Sequence, residues 1–262
     1  MPFVESSPHR FYYRRWGLPE PRAGVVLLHG RGEHSGLYHR FAGDLNHHGI
    51  EVWGIDHLGH GHTGGDPDGC SDFTALATNA GELVSIAADQ RPGLPLVVVG
   101  HSLGGLTAAV LQARSAPPIE ALVLSGTLLE REIGHRARLA EQGEPVMSED
   151  PAYLDALAVD PLLSAAGEPD AQRLDRAILE ALQTIRTAAP QWTLPVLFVN
   201  GENDVVARPE VARRWAERMQ RASFTEMARA HHDVLNDLCH REVADFIAKF
   251  VLEHTSATAG SA

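Results

Sequence analysis

Lysine is almost missing: Lys249 is the only one in 262 residues. Arginine carries the remaining cationic charge, and 34 acidic against 22 basic side chains leave a formal net charge of −12. Such a balance excludes broad electrostatic binding to nucleic acid or to anionic lipid, since both reward clustered positive charge. Cysteine is scarce too, with only Cys70 and Cys239. Cys70 falls in a glycine-rich loop and Cys239 in an amphipathic helix, a pattern of reduced thiols in a cytoplasmic protein rather than of a disulfide framework. No apolar run has the length of a membrane span. Met1-Pro2-Phe3-Val4-Glu5 lacks both a basic and an apolar leader region, so no secretory signal is expected.

What is present is an alternation. Val25-Val26-Leu27-Leu28, Glu51 to Ile55, Leu96 to Val99, Ile119 to Leu124, Pro195 to Asn200 and Ser223 to Met227 read as strands, most of them continuous apolar runs. Arg10 to Trp16 is a further, aromatic one. Between them lie segments with helical periodicity: Leu37 to Asn46, Ser71 or Asp72 to about Asp89, Leu106 to Arg114, Arg208 to Arg221 and Arg241 to Leu252. Strand–helix alternation predicts an α/β fold, a mostly parallel sheet with crossover helices on both faces. Ligand chemistry then belongs at the carboxyl ends of the strands.

One segment breaks the rhythm. Residues 127 to 190 hold no convincing strand, only helical pieces interrupted by Gly143-Glu144-Pro145, Asp160-Pro161 and Gly167-Glu168-Pro169. The expected organisation is therefore a core over 1–126 and 191–254, a helical cap over 127–190 laid across the strand ends, and a small polar, disordered tail over 255–262. The cap carries Leu128 and Leu129 at its start, candidates for contact with a substrate chain, while Arg131, Glu132, Arg136, Arg138 and Glu141 give it a polar outer face that argues against deep membrane insertion.

The strongest chemical signal is Gly100-His101-Ser102-Leu103-Gly104, set between the Leu96–Val99 strand and the following helix. A Gly-x-Ser-x-Gly turn from strand to helix lifts a serine hydroxyl clear of the sheet beside free helix N-terminal amides, so Ser102 is the candidate nucleophile. A serine needs a base, and the base needs a third group to fix its tautomer. With this elbow the chain order is serine, acid, histidine. Asp204 follows the Val196–Asn200 strand and is the candidate acid, with Glu202 as its rival. The base falls in the pair His231-His232. Backbone N–H groups of Leu103, after the nucleophile, and of Arg31, after the Val25–Leu28 strand, are the candidate oxyanion hole. A histidine base implies activity that falls as pH drops through about 6.5, before the surroundings move that value.

Other patterns lead elsewhere. Gly30-Arg31-Gly32 misses the dinucleotide pattern because its last glycine, Gly36, comes one residue late. His57, His60 and His62 alternate with Gly59 and Gly61 in a turn and are not taken as metal ligands. Asp66 to Asp68 lacks the ligand count of a calcium loop.

Four motifs together resemble the α/β-hydrolases of the monoacylglycerol lipase and lysophospholipase group, which also takes in serine aminopeptidase-like hydrolases. His29-Gly30-Arg31-Gly32-Glu33-His34-Ser35-Gly36 is similar to H-G-x-G-E-H-S/A-x. Asp56-His57-Leu58-Gly59-His60-Gly61-His62-Thr63 is similar to D-H-x-G-H-G-x-S, with threonine in the last place. Gly100-His101-Ser102-Leu103-Gly104-Gly105 is similar to G-H-S-M-G-G. Gly201-Glu202-Asn203-Asp204 and His232-Asp233-Val234-Leu235-Asn236-Asp237 complete the set as G-x-x-D and H-E-x-L-N-E. The resemblance spans about 10 to 252 and implies an α/β-hydrolase fold, hydrolysis of carboxylic esters, a mobile cap, no cofactor and no metal. It selects His232 as the base. In the cap only Asp160-Pro161-Leu162 resembles the family, and Leu37 stands where arginine is common. The expected substrate is a small-molecule acyl ester of monoacylglycerol or lysophospholipid type, with chains of roughly eight carbons or more favoured by about 0.8 kcal/mol per buried methylene. A short-chain carboxylesterase or thioesterase is the alternative enzyme, and a non-catalytic ligand-binding protein the alternative outside enzymes. Neither a nucleic-acid partner nor a transmembrane segment is expected.

Overall fold

The apolar runs become one eight-stranded sheet in the computed structural model, which describes residues 3–6, 9–131, 145–164 and 170–256. The strands are β1 (Phe3–Ser6), β2 (His9–Trp16), β3 (Ala23–Leu28), β4 (Ile50–Asp56), β5 (Leu96–His101), β6 (Ala121–Ser125), β7 (Val196–Gly201) and β8 (Ala222–Met227). Their spatial order is β1-β2-β4-β3-β5-β6-β7-β8. The β1–β2 and β2–β4 pairs are antiparallel, and every pair from β4 to β8 is parallel. The described helices are α1 (His39–His47), α2 (Phe73–Gln90), α3 (Leu103–Ser115), α4 (Pro151–Val159), α5 (Pro161–Ser164), α6 (Ala171–Ala188), α7 (Pro209–Arg218) and α8 (His240–Thr255).

Every residue of β3 to β7 is buried, as expected for parallel strands covered on both faces. Because successive side chains point to opposite faces, each strand feeds two cores. Val26, Leu28, Val98, Leu122 and Phe198 pack with α2, α3, α6 and α7. Val25, Leu27, Val97, Val123 and Val199 pack with α1 and α8. Three of the helices start where a carboxylate caps them: Asp72 accepts from Ala75 N–H at α2, Asp150 from Ala152 and Tyr153 at α4, and Asp170 from Gln172 and Arg173 at α6.

Several boundaries differ from those read in the sequence. The edge strand β1 carries no apolar run of its own and takes its order from pairing with β2. Helix α3 begins at Leu103, directly after the elbow serine, rather than at Leu106. Cys239 sits at the N-cap of α8, outside the helix, and both cysteines are free. Helix α8 continues to Thr255, which is buried and donates its hydroxyl to Val251 C=O, so that residue belongs to the fold and not to the tail. Residues 257–262 lie outside the described residues.

Between β6 and β7 the described residues form helices and no strand. Asp160 separates α4 from α5, and Pro161 opens the latter. Helix α6 is not a loose cover: Leu174, Ala181, Leu182 and Ile185 are buried in the same core as α2 and α3. The expected interruptions at 143–144 and 167–169, and the polar Glu132, Arg136, Arg138 and Glu141, lie outside the described residues.

Candidate active site

The elbow forms at the β5–α3 junction. Ser102 has φ 51° and ψ −113°, a left-handed conformation that a non-glycine residue holds only when its surroundings enforce it. Here its N–H donates to Ser125 C=O at 2.9 Å, and α3 follows at once. A Cβ on Gly104 would overlap the Leu28 carbonyl oxygen, so only glycine lets α3 start this close to β3.

Three sequence-selected side chains meet at this point. His232 Nε2 lies 2.9 Å from Ser102 Oγ, and His232 Nδ1 lies 3.0 Å from both Oδ1 and Oδ2 of Asp204. A carboxylate only accepts, so Nδ1 carries the hydrogen, and in the neutral ring Nε2 faces the serine hydroxyl with its lone pair. Asp204 is itself held, its Oδ1 accepting from Val206 N–H at 2.9 Å and Ala207 N–H at 2.8 Å. The rivals go elsewhere. Glu202 is exposed and accepts from Arg229 N–H in a turn. The His231 ring faces Asp237 at 3.4 Å, away from the serine.

Carboxylates surround the base. Burial of His232 disfavours its charged form, but Asp204, by charge and hydrogen bond, with Asp233 and Glu33 at longer range, outweighs that and raises its pKa to about 9. The 6.5 expected from an ordinary histidine is therefore displaced upward. A base must be neutral to act, so turnover is expected to climb from pH 6.5 and level off only near 9; a kcat–pH profile already flat above 7 would contradict this. Stability runs the other way. A raised folded-state pKa contributes stability below the unfolded value of 6.5, and that contribution is lost as pH rises through about 9.

Sequence reasoning missed a second buried network behind the triad. Glu33 Oε2 accepts from Gly30 N–H and Tyr38 O–H, both at 2.6 Å. The Tyr153 hydroxyl, from α4, lies 2.8 Å from Glu33 Oε1 and 3.1 Å from Asp233 Oδ2. Asp233 Oδ1 meets His101 Nε2 at 3.2 Å, and Asp233 N–H donates to Met147 C=O at 2.8 Å. The segment before α4 is thereby tied to the loop that carries His232. The spacing of Glu33, His101 and Asp233 within three motifs was the available signal; Tyr153 had none.

A cavity of about 170 Å³ opens beside Ser102. Arg31 and Leu103, the expected oxyanion residues, both line it, with Phe73, Leu106, Leu128 and Ile178 among the apolar wall. Arg131, expected on the polar outer face of the cap, instead pairs with Asp175 at 2.6 Å, and the two form a polar part of the same wall. Leu128 lines this cavity. Leu129, its expected companion, does not line the cavity: it is 1% exposed and packs into the core with α3 and α6.

Among the described residues one group has metal-ligand spacing, His101, His232 and Asp233, with ligand atoms within 4.8 Å of one another. Both ring nitrogens of His232 are already engaged by Asp204 and Ser102, so an ion there would displace the bonds just described. The His60 ring engages Gly32 N–H and Leu58 C=O, and the His62 ring lies tilted against Tyr12.

Known proteins resemble this chain in sequence and in fold. A monoacylglycerol lipase of Mycolicibacterium smegmatis is 29% identical over 253 residues, covering 90% of each chain. Among solved structures, a monoacylglycerol lipase of Paleococcus ferrophilus superposes with TM-score 0.72 at 24% identity, covering 93% of this chain and 99% of that one. A carboxyl esterase of Bacillus coagulans, in complex with glycerol, reaches 0.78 at 20% identity with 97% of both chains covered. These structures share the α/β-hydrolase fold. The family model for serine aminopeptidase, S33, matches residues 19–239, and the chain belongs to that family of hydrolases.

Proposed function

We propose that this chain hydrolyses carboxylic esters of small molecules through an acyl-enzyme on Ser102, with monoacylglycerols as the substrate class. The observation that carries the reading is the hydrogen-bonded chain from Ser102 Oγ through His232 to Asp204. Ser102 Oγ attacks the ester carbonyl while its proton passes to His232 Nε2. The developing oxyanion is held by the N–H groups of Arg31 and Leu103, and Asp204 stabilises the imidazolium. Collapse releases the alcohol with the proton from His232. Water then attacks the acyl-enzyme with His232 again as base, and the carboxylic acid leaves. No metal or organic cofactor takes part in this scheme. Residues 127–190 act as the cap that shapes the acyl pocket, and the enzyme works in the cytoplasm.

The names of the Mycolicibacterium and Paleococcus relatives support the monoacylglycerol reading. The pocket supports an acyl chain, since Phe73, Leu106, Leu128 and Ile178 give it an apolar wall beside Ser102. Each methylene buried there gains roughly 0.8 kcal/mol. kcat/KM for p-nitrophenyl esters is therefore expected to rise from acetate to about octanoate and then level, with monooctanoylglycerol turned over as well. A steady decline from acetate upward would leave a short-chain esterase. No helix among the described residues is long and apolar enough to cross a membrane.

A further inference from the structure

The D-H-L-G-H-G-H-T motif at 56–63 contributes nothing to the triad, yet it faces the oxyanion loop across the β3–β4 boundary. The two loops are stitched reciprocally. His29, at the end of β3, accepts His57 N–H on Nε2 at 2.9 Å. In return His60 accepts Gly32 N–H on its own Nε2 at 2.9 Å. Asp56 Oδ1 accepts Ser35 N–H at 2.8 Å and its hydroxyl at 2.5 Å, while Oδ2 accepts His62 N–H at 2.9 Å.

Both histidines are locked in one tautomer. A carbonyl can only accept, so the contacts of His29 Nδ1 with Gly30 C=O (2.7 Å) and of His60 Nδ1 with Leu58 C=O (3.0 Å) place the hydrogen on Nδ1. Nε2 is then bare in each ring, which is what an incoming backbone N–H requires. Burial holds both rings below the ordinary histidine pKa and keeps them neutral. An imidazolium at either place would turn N–H against N–H.

We propose that His60 is a positioning residue for the oxyanion hole. The inference rests on the esterase reading above, because it concerns the loop that presents Arg31. That residue lies between two anchored amides: Gly30 N–H is held by Glu33 and Gly32 N–H by His60. Gly32 has φ +77°, a conformation with no intrinsic preference to hold the loop, so the bond to His60 fixes the far side of the Arg31 peptide. An oxyanion donor works by being aimed before the charge develops. Loosening Gly32 lets the Arg31 N–H drift from the position the oxyanion will occupy, at a cost that falls on kcat.

The test compares His60→Phe, His60→Asn and His60→Gln in the full chain. Phenylalanine keeps the ring but has no acceptor. Asparagine keeps a donor for Leu58 C=O but does not reach Gly32, and glutamine carries an acceptor out to the Nε2 position. H60F and H60N are expected to lose about 100-fold in kcat, the scale of a small misplacement, with KM within twofold. Affinity for an alkyl trifluoromethyl ketone, which forms a tetrahedral adduct, is expected to fall in parallel. H60Q is expected to recover at least part of both. If H60F does not fold, H60N against H60Q gives the same contrast. Folded H60N with kcat within threefold of wild type, a loss confined to KM, or an unchanged ketone affinity would overturn the role of His60. Fluorophosphonate labelling of wild type at Ser102 separates the two levels: labelling with those results sinks His60 alone, and no labelling removes the esterase reading and the inference with it.

Discussion

Replacing Ser102 by alanine is expected to lower kcat by about a million-fold, the scale seen when a triad nucleophile is removed. The reason is specific to this elbow. The Oγ at 2.9 Å is the group that His232 Nε2 faces, and without it the base has no nucleophile to activate. Binding and the oxyanion amides survive the change, so some catalysis over water remains. The fold is expected to survive as well. Alanine has the same Cβ at φ 51°, so the backbone strain is unaltered, and the anchoring Ser102 N–H to Ser125 bond belongs to the main chain. Steady-state kinetics on one activated ester, with a thermal melt beside it, decides the matter. Activity retained within tenfold in a folded variant would mean that another nucleophile exists.

Where the sequence was legible, one physical rule was sufficient. The strands from β3 to β7 are buried on both faces and appear as continuous apolar runs. The elbow was legible because a close approach demands glycine, as the overlap at Gly104 shows. β1 was not, since an edge strand is specified by its partner β2 and not by its own pattern. Leu128 and Leu129 illustrate the limit inside the site. They are neighbours of the same type, yet one faces the cavity and the other the core, and in an irregular segment no period tells them apart.

The buried polar network was illegible for a different reason. Tyr153 is 120 residues from Glu33 and 80 from Asp233 in the chain, and only the fold brings its hydroxyl between their carboxylates. The histidines of the second motif were seen but given no task. Their work is backbone hydrogen bonding between two loops that adjoin because β3 and β4 pair, and pairing of that kind leaves no trace in spacing.

Removing His232 is expected to be nearly as damaging as removing Ser102, whereas the same change at His231 should cost less than about tenfold, because only a triad member acts as part of the catalytic unit. His232 holds both halves of the proton path, Nε2 toward Ser102 and Nδ1 toward Asp204. His231 contributes its backbone N–H to Asp237 at 2.8 Å, a bond that alanine keeps. The His232 variant also exposes a cost that the serine variant does not. Asp204 is 2% exposed, and without the imidazole its carboxylate keeps only the Val206 and Ala207 amides as the partners described above. Breaking a buried pair from one side typically costs 3–5 kcal/mol. His232→Ala is therefore expected to melt well below wild type, and His232→Asn, whose amide nitrogen takes the Nδ1 place and can donate to Asp204, to recover stability without recovering turnover. That divergence is the informative result, since it separates what the ring contributes as a hydrogen-bonding wedge from what it contributes as a base. If His231→Ala were the inactive variant and His232→Ala retained turnover, the last motif would be out of register by one residue and Asp204 would orient nothing.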